Sequence, residues 1–216
     1  MGSIRISVRG YPVHFHVYVQ EPATKSKIDQ LAVFLRRLPD QHLAVLYPIF
    51  VMARKPGGAM GGGTWRPSEV RSNFTGAGHV RNTGIPAQDV DAIAVRKNLG
   101  VIGLSLDRWR RPMGRLEFTL FHEIGHCVDY AFRPGGLVPS GATAVDFPGM
   151  ETNRCGAGSM MVRRAAEAYA RYMLRPHRIF HTQPGAMSAA RANRRIIETL
   201  RRSAAFSSVP ASWEPR

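Results

Sequence analysis

The 216-residue chain is poor in cysteine, lysine and acidic residues. Two cysteines, Cys127 and Cys155, exclude a disulfide framework or a zinc knuckle and leave at most one bridge. Lys25, Lys27, Lys55 and Lys97 are the only lysines, so the positive charge is carried by arginine, and 30 basic residues against 15 acidic ones give a formal charge of +15. No apolar run of about 18 residues occurs, which excludes a spanning helix of ordinary length. The opening "MGSIRISVRGYPVHFHV" has charges where a secretory leader would be apolar, so no such leader is expected.

A hydrophobic content of 44% is enough for a sizeable core, and a single domain over residues 1–216 is expected. The arginine excess is that of a solvated basic surface, or of a chain that stays near a polyanion such as an anionic lipid or a bacterial wall polymer. Nucleic acid is not expected as the partner.

Periodicity divides the chain into four parts. Over residues 1–55, Ile4, Ile6 and Val8 alternate with polar residues, as do Val13, Phe15, Val17 and Val19, which predicts a hairpin turning at Gly10–Pro12. His14 and His16 then share the opposite strand face, where half-exposure explains them more simply than metal binding. Thr24 can cap a helix carrying Ile28, Leu31, Phe34 and Leu35, stopped by Pro39, and "HLAVLYPIFVMAR" reads as a buried strand broken at Pro48. Residues 56–88 are dense in Gly, Pro, Ser and Asn and read as a long loop with room for one short strand. In the third part, 89–180, "DAIAV" and "GVIGLSL" read as an antiparallel strand pair. A basic helix is expected over 186–206.

The chemistry concentrates in "TLFHEIGHCVDY", Thr119 to Tyr130. Leu116, Leu120, Phe121, Ile124 and Val128 recur at three- and four-residue steps, so the segment is helical. His122 and His126, four residues apart, stack on one face about one turn apart and can both reach one tetrahedral zinc. Glu123, about 100° round the helix, is placed to hold a water on the open side of such a metal. With eight histidines in the chain, this pattern arises by chance in roughly one chain in a hundred, so a third ligand has to decide. Glu167, the one carboxylate of the later helix "MMVRRAAEAYARYML", is flanked by small alanines that let a neighbouring helix approach. It is either that ligand or the partner of Arg163 or Arg171 one turn away. Glu151 and Asp146 are rivals. Asp129 is also acidic, but a chelate from the same helix would be strained, and orienting a histidine through its other ring nitrogen suits it better. Cys127 should face the core.

"HEIGH" followed by an "EAYARY" helix resembles the gluzincin branch of the zincin peptidases, in which two helical histidines and a later glutamate hold zinc. The separation of Glu167 from His126 is similar to that in the anthrax lethal factor-like catalytic domain and in metallopeptidase domains of type VI secretion spike effectors. The ImmA/IrrE peptidases share HE-x-GH, but their EAN-x-FA is absent. The resemblance covers roughly 101–174. The lethal factor-like pattern often has two glutamates one turn apart, and aligning on "AEAY" would place the ligand at Arg163, which cannot bind zinc; only the register with Glu167 leaves a working site.

The resemblance implies an α+β, zincin-like fold: a small mixed or antiparallel sheet on an active-site helix and a second ligand-bearing helix. It implies a zinc (Zn2+) peptidase with metal ligands His122, His126 and Glu167 and general base Glu123. An oxyanion-stabilising group would come from Tyr169, Tyr172, His177 or His181, and an extended substrate would add to the "GVIGLSL" strand. It also implies a secreted or delivered bacterial toxin or effector, with a protein or peptide substrate, an immunity or inhibitor protein and a secretion-spike carrier as partners. A cytoplasmic regulatory peptidase of the ImmA/IrrE kind and a non-enzymatic polyanion-binding module are the alternatives.

Overall fold

The computed structural model describes residues 2–22, 24–56, 61–74, 82–150, 160–175 and 188–215. The protein is α+β, built on a five-stranded mixed sheet of order β1-β2-β3-β5-β4. Strands β1 (Gly2–Val8) and β2 (Tyr11–Val17) form the expected hairpin, with Ile4 opposite Phe15 and Ile6 opposite Val13. Its turn is Arg9–Gly10, both with positive φ (50° and 87°), as a two-residue primed turn requires, so Pro12 lies within β2. Strand β3 (Ile49–Met52) begins directly after Pro48 and runs parallel to both β2 and β5 (Val101–Ser105). Every residue of β3 and β5 is buried, the signature of central parallel strands covered on both faces.

Helix α1 (Thr24–Leu35) buries Ile28, Leu31 and Leu35, and α2 (Asp40–Ala44) takes up the start of the segment read as strand. Residues 56–88 hold more order than their glycines suggest: β4 (Gly62–Trp65), antiparallel to β5 at the sheet edge, and α3 (Pro67–Phe74). "DAIAV" is no strand. It continues α4 (Ala87–Val90) as a π-helical turn, Asp91–Val95, and buries Val90 and Ala94 against Phe50, Met52, Val70 and Phe74. The four apolar residues after Asp91 carry no period that separates strand from helix, and here the packing decides.

After the short α5 (Leu106–Trp109) comes the 19-residue α6 (Met113–Ala131), then α7 (Met160–Leu174) and the basic α8 (Ala189–Arg201), capped by the Ser188 side chain. These helices, with α1, cover one sheet face, where Phe15, Ile49, Val51, Ile102 and Leu104 meet Leu116, Leu120, Phe121, Ile124, Tyr169 and Ile196. Helices α6 and α7 form the most extensive helix–helix contact. A Cβ on Gly125 would lie 3.0 Å from the Ala166 Cα and 3.1 Å from its carbonyl oxygen, so both small residues are needed for this approach. No helix among the described residues is long and apolar enough to cross a membrane.

One polar residue ties the core to the C-terminal segment. His42 is fully buried; its Nε2 lies 2.8 Å from the Ala205 carbonyl, which can only accept, so Nδ1 is the acceptor for the Tyr169 hydroxyl at 2.9 Å. Burial lowers its pKa from 6.5 to about 4, opposed by the bond to Ala205. The unfolded chain therefore takes up a proton that the folded one refuses, and the stability present above pH 6.5 is lost as pH falls toward 4, by about 3 kcal/mol. We expect urea midpoints to fall over this window and His42→Gln to flatten the decline. An equal decline in that variant would contradict the assignment.

Candidate functional site

Helix α6 crosses beneath the edge strand β4, and the site is built where they meet. A Cβ on Gly62 would fall 2.7 Å from Glu123 Oε1 and 2.9 Å from Thr119 Cγ2, so only glycine lets the strand pass over these two side chains, one helical turn apart. Two residues on, Thr64 Oγ1 lies 2.9 Å from Glu123 Oε2 and 2.9 Å from the Glu123 carbonyl, its single proton available to either. Glu123 is thereby buried against the face of β4 that Gly62 and Thr64 share, with its carboxyl group fixed. Burial pushes its pKa up to about 7, with the Thr64 hydroxyl and Lys55 pulling the other way.

His122 and His126 sit on the adjoining face of α6 with their Nε2 atoms 3.2 Å apart and their rings near perpendicular. Two nitrogens bound to one tetrahedral zinc at ordinary lengths stand about 3.3 Å apart. The pair is close enough for one ring N–H to donate to the other, and equally for both lone pairs to converge on a cation. Burial lowers the pKa of His122 to about 3, with help from His126, and that of His126 to about 4, with help from Arg163. Both rings are therefore neutral at physiological pH, the state in which imidazole ligates. Among the described residues the buried His126 Nδ1 has no hydrogen-bond partner.

Glu167 is buried on α7, one residue after the Ala166 that touches Gly125, just as His126 follows Gly125. Its Oε1 accepts from Arg171 Nη2, the same-helix partnership that its spacing permitted, here in a largely buried setting. Among the described residues no three His, Cys, Asp or Glu side chains are grouped so as to hold a metal ion. The histidine pair supplies two donors, and Glu167 has one carboxylate oxygen engaged by Arg171.

Other expected roles change. Asp129 orients no histidine: it accepts from the Leu137 backbone N–H (2.9 Å) and Arg133 (3.0 Å), closing the loop after α6. Asp146 caps the turn at Thr143 and pairs with Arg195 of α8. Tyr169 is committed to His42, and Tyr172 accepts from Arg201, so neither phenol faces the histidines. His177, His181, Glu151 and Cys155 lie outside the described residues. Cys127 is a free thiol buried in the main core, 3.2 Å from the Val45 carbonyl, and burial pushes its pKa up to about 12. Strand β5 has β3 on one side and β4 on the other, so it cannot add a substrate strand; the sheet edge beside the site belongs to β4.

The sequence reading passed over Tyr130. It continues the row His122, His126 at the next turn, its ring 6.3 Å from that of His126 and tilted by 22°, and the guanidinium carbons of Arg66 and Arg133 lie 5.4 and 5.1 Å from it. The four-residue step from His126 was the available signal. No protein-family model, curated protein or solved structure matches the chain.

Proposed function

We propose that the protein is a zinc-dependent peptidase whose ligands are His122, His126 and Glu167 and whose general base is Glu123. The observation that carries this reading is the 3.2 Å separation of two neutral imidazole Nε2 atoms next to a buried carboxylate under a sheet edge. Bound zinc would lower the pKa of a coordinated water and polarise the scissile carbonyl. Glu123, held by Thr64, accepts the proton of the attacking water and returns it to the departing amine. An extended peptide adds to the outward edge of β4 through backbone hydrogen bonds, which places its carbonyl near Glu123 with little demand on side chains. Tyr130 is the phenol in line with the two histidines and the candidate to steady the developing oxyanion. The likeness of "HEIGHCVDY" to spike-borne metallopeptidases extends the proposal to a toxin or effector acting on a protein substrate.

The test is hydrolysis of an unfolded protein by the zinc-loaded chain. Fragments are expected, and a chelator should prevent them. Gly62→Ala should lower the rate at least about 10-fold while zinc stays bound, because the added methyl displaces the Glu123 carboxylate. A zinc-loaded protein that cuts nothing, or a Gly62→Ala variant as fast as the parent, would count against this arrangement.

A further inference from the structure

Away from the histidines, a cleft of about 810 Å³ opens between the end of α1 and the C-terminal segment. Three arginines, Arg9, Arg36 and Arg37, line it together with Val33, Trp213 and Glu214. Two of the guanidinium groups are held in place by main-chain carbonyls: Arg9 donates to Leu38, and Arg37 Nη1 donates to Leu174 at 2.8 Å. Arg9 also pairs with Asp40. Arg36 is exposed and has no ion-pair or hydrogen-bond partner among the described residues. Trp213 is braced from behind: Arg201 donates to its carbonyl, and the Arg201 guanidinium carbon sits 5.6 Å from its ring. The one acid in the lining, Glu214, is exposed.

We propose that this cleft binds a phosphate-bearing anion. Guanidiniums around one depression repel each other unless something neutralises them; Asp40 answers Arg9, and Glu214, the one carboxylate of the lining, leaves a positive charge uncompensated between Arg36 and Arg37. A guanidinium presents paired N–H groups that match phosphate oxygens two at a time, and fixing it beforehand lowers the entropy lost on binding. Phosphate brings about two charges in a compact group, where a carboxylate brings one. The volume falls in the range of small-ligand sites.

The probe is inorganic tripolyphosphate, titrated at physiological salt with tryptophan fluorescence as readout, since Trp213 lines the cleft. A saturable fluorescence change is expected; Trp213→Phe should lose that change while calorimetry still registers binding. Arg36→Gln, which disturbs no contact in the fold, should weaken binding at least about 10-fold, Glu214→Gln should tighten it, and Arg191→Gln with Arg194→Gln on the exposed side of α8 should leave it unchanged. Equal weakening by the α8 changes and by Arg36→Gln would mean attraction to overall charge and would overturn the site. So would the absence of binding, or polyglutamate binding as tightly as tripolyphosphate. Vesicles of phosphatidylglycerol form the second arm: Arg36-dependent binding to them beyond that to tripolyphosphate would assign the phosphate to a lipid headgroup, and none would assign it to a soluble anion.

Discussion

Glu123→Gln is expected to leave the protein folded and loaded with zinc and to slow peptide hydrolysis by about 10³-fold or more. Glu123 lies under β4 with Thr64 Oγ1 on one carboxylate oxygen and the backbone of Gly62 close to the other, so the amide fits the same space. What the amide cannot do is take a proton from water. Thr64 meets an acceptor oxygen in either side chain, so the fold should register the change only weakly. The checks are turnover of an unfolded protein, zinc content and the urea midpoint measured on one preparation. A variant with normal zinc and near-normal turnover would remove Glu123 from the chemistry. One that loses zinc as well would make it a ligand and not a base.

The second large effect concerns the third donor. Glu167→Ala should weaken zinc binding by at least about 10-fold, as losing an anionic ligand does. Arg171 makes the stronger test, because it holds the Glu167 carboxylate. If zinc must draw Glu167 away from Arg171, then Arg171→Gln lowers the cost of that turn, and zinc affinity should rise. If Glu167 serves only the ion pair, Arg171→Gln leaves affinity unchanged and destabilises the fold by removing a guanidinium from a buried carboxylate. Competition with a chromogenic chelator reads the affinity, and a urea titration reads the fold. The fold loses the same ion pair under either role, so the zinc affinity of Arg171→Gln is what separates them.

What could be read from the sequence follows from where the information sits. The β1–β2 hairpin and α6 were legible because their apolar residues repeat over two or more periods, and the glycine and prolines around them end the elements locally. One short strand was expected within 56–88, but its place at β4 was hidden because Gly62 and Gly63 look like loop residues. Gly62 is there for a tertiary reason, the close pass over Glu123 and Thr119, which no local pattern announces. "DAIAV" was misread because five residues suit either element. At the site, the spacing of His122, Glu123 and His126 was enough to place the two imidazoles together with a carboxylate alongside. Side-chain direction was not legible. Asp129 turns to Leu137, Tyr169 turns to His42, and Glu167 turns to Arg171, each toward a partner made available by chain far away or by its own helix.

The central claim is that His122 and His126 share one metal ion, and metal content tests it most directly. Protein purified without chelators, or stripped and refilled with zinc, should carry about one equivalent that resists dialysis. His122→Ala and His126→Ala should each carry none while retaining the helical signal of the parent. Absence of zinc from the parent after refilling, or retention of a full equivalent by both alanine variants, would contradict the account.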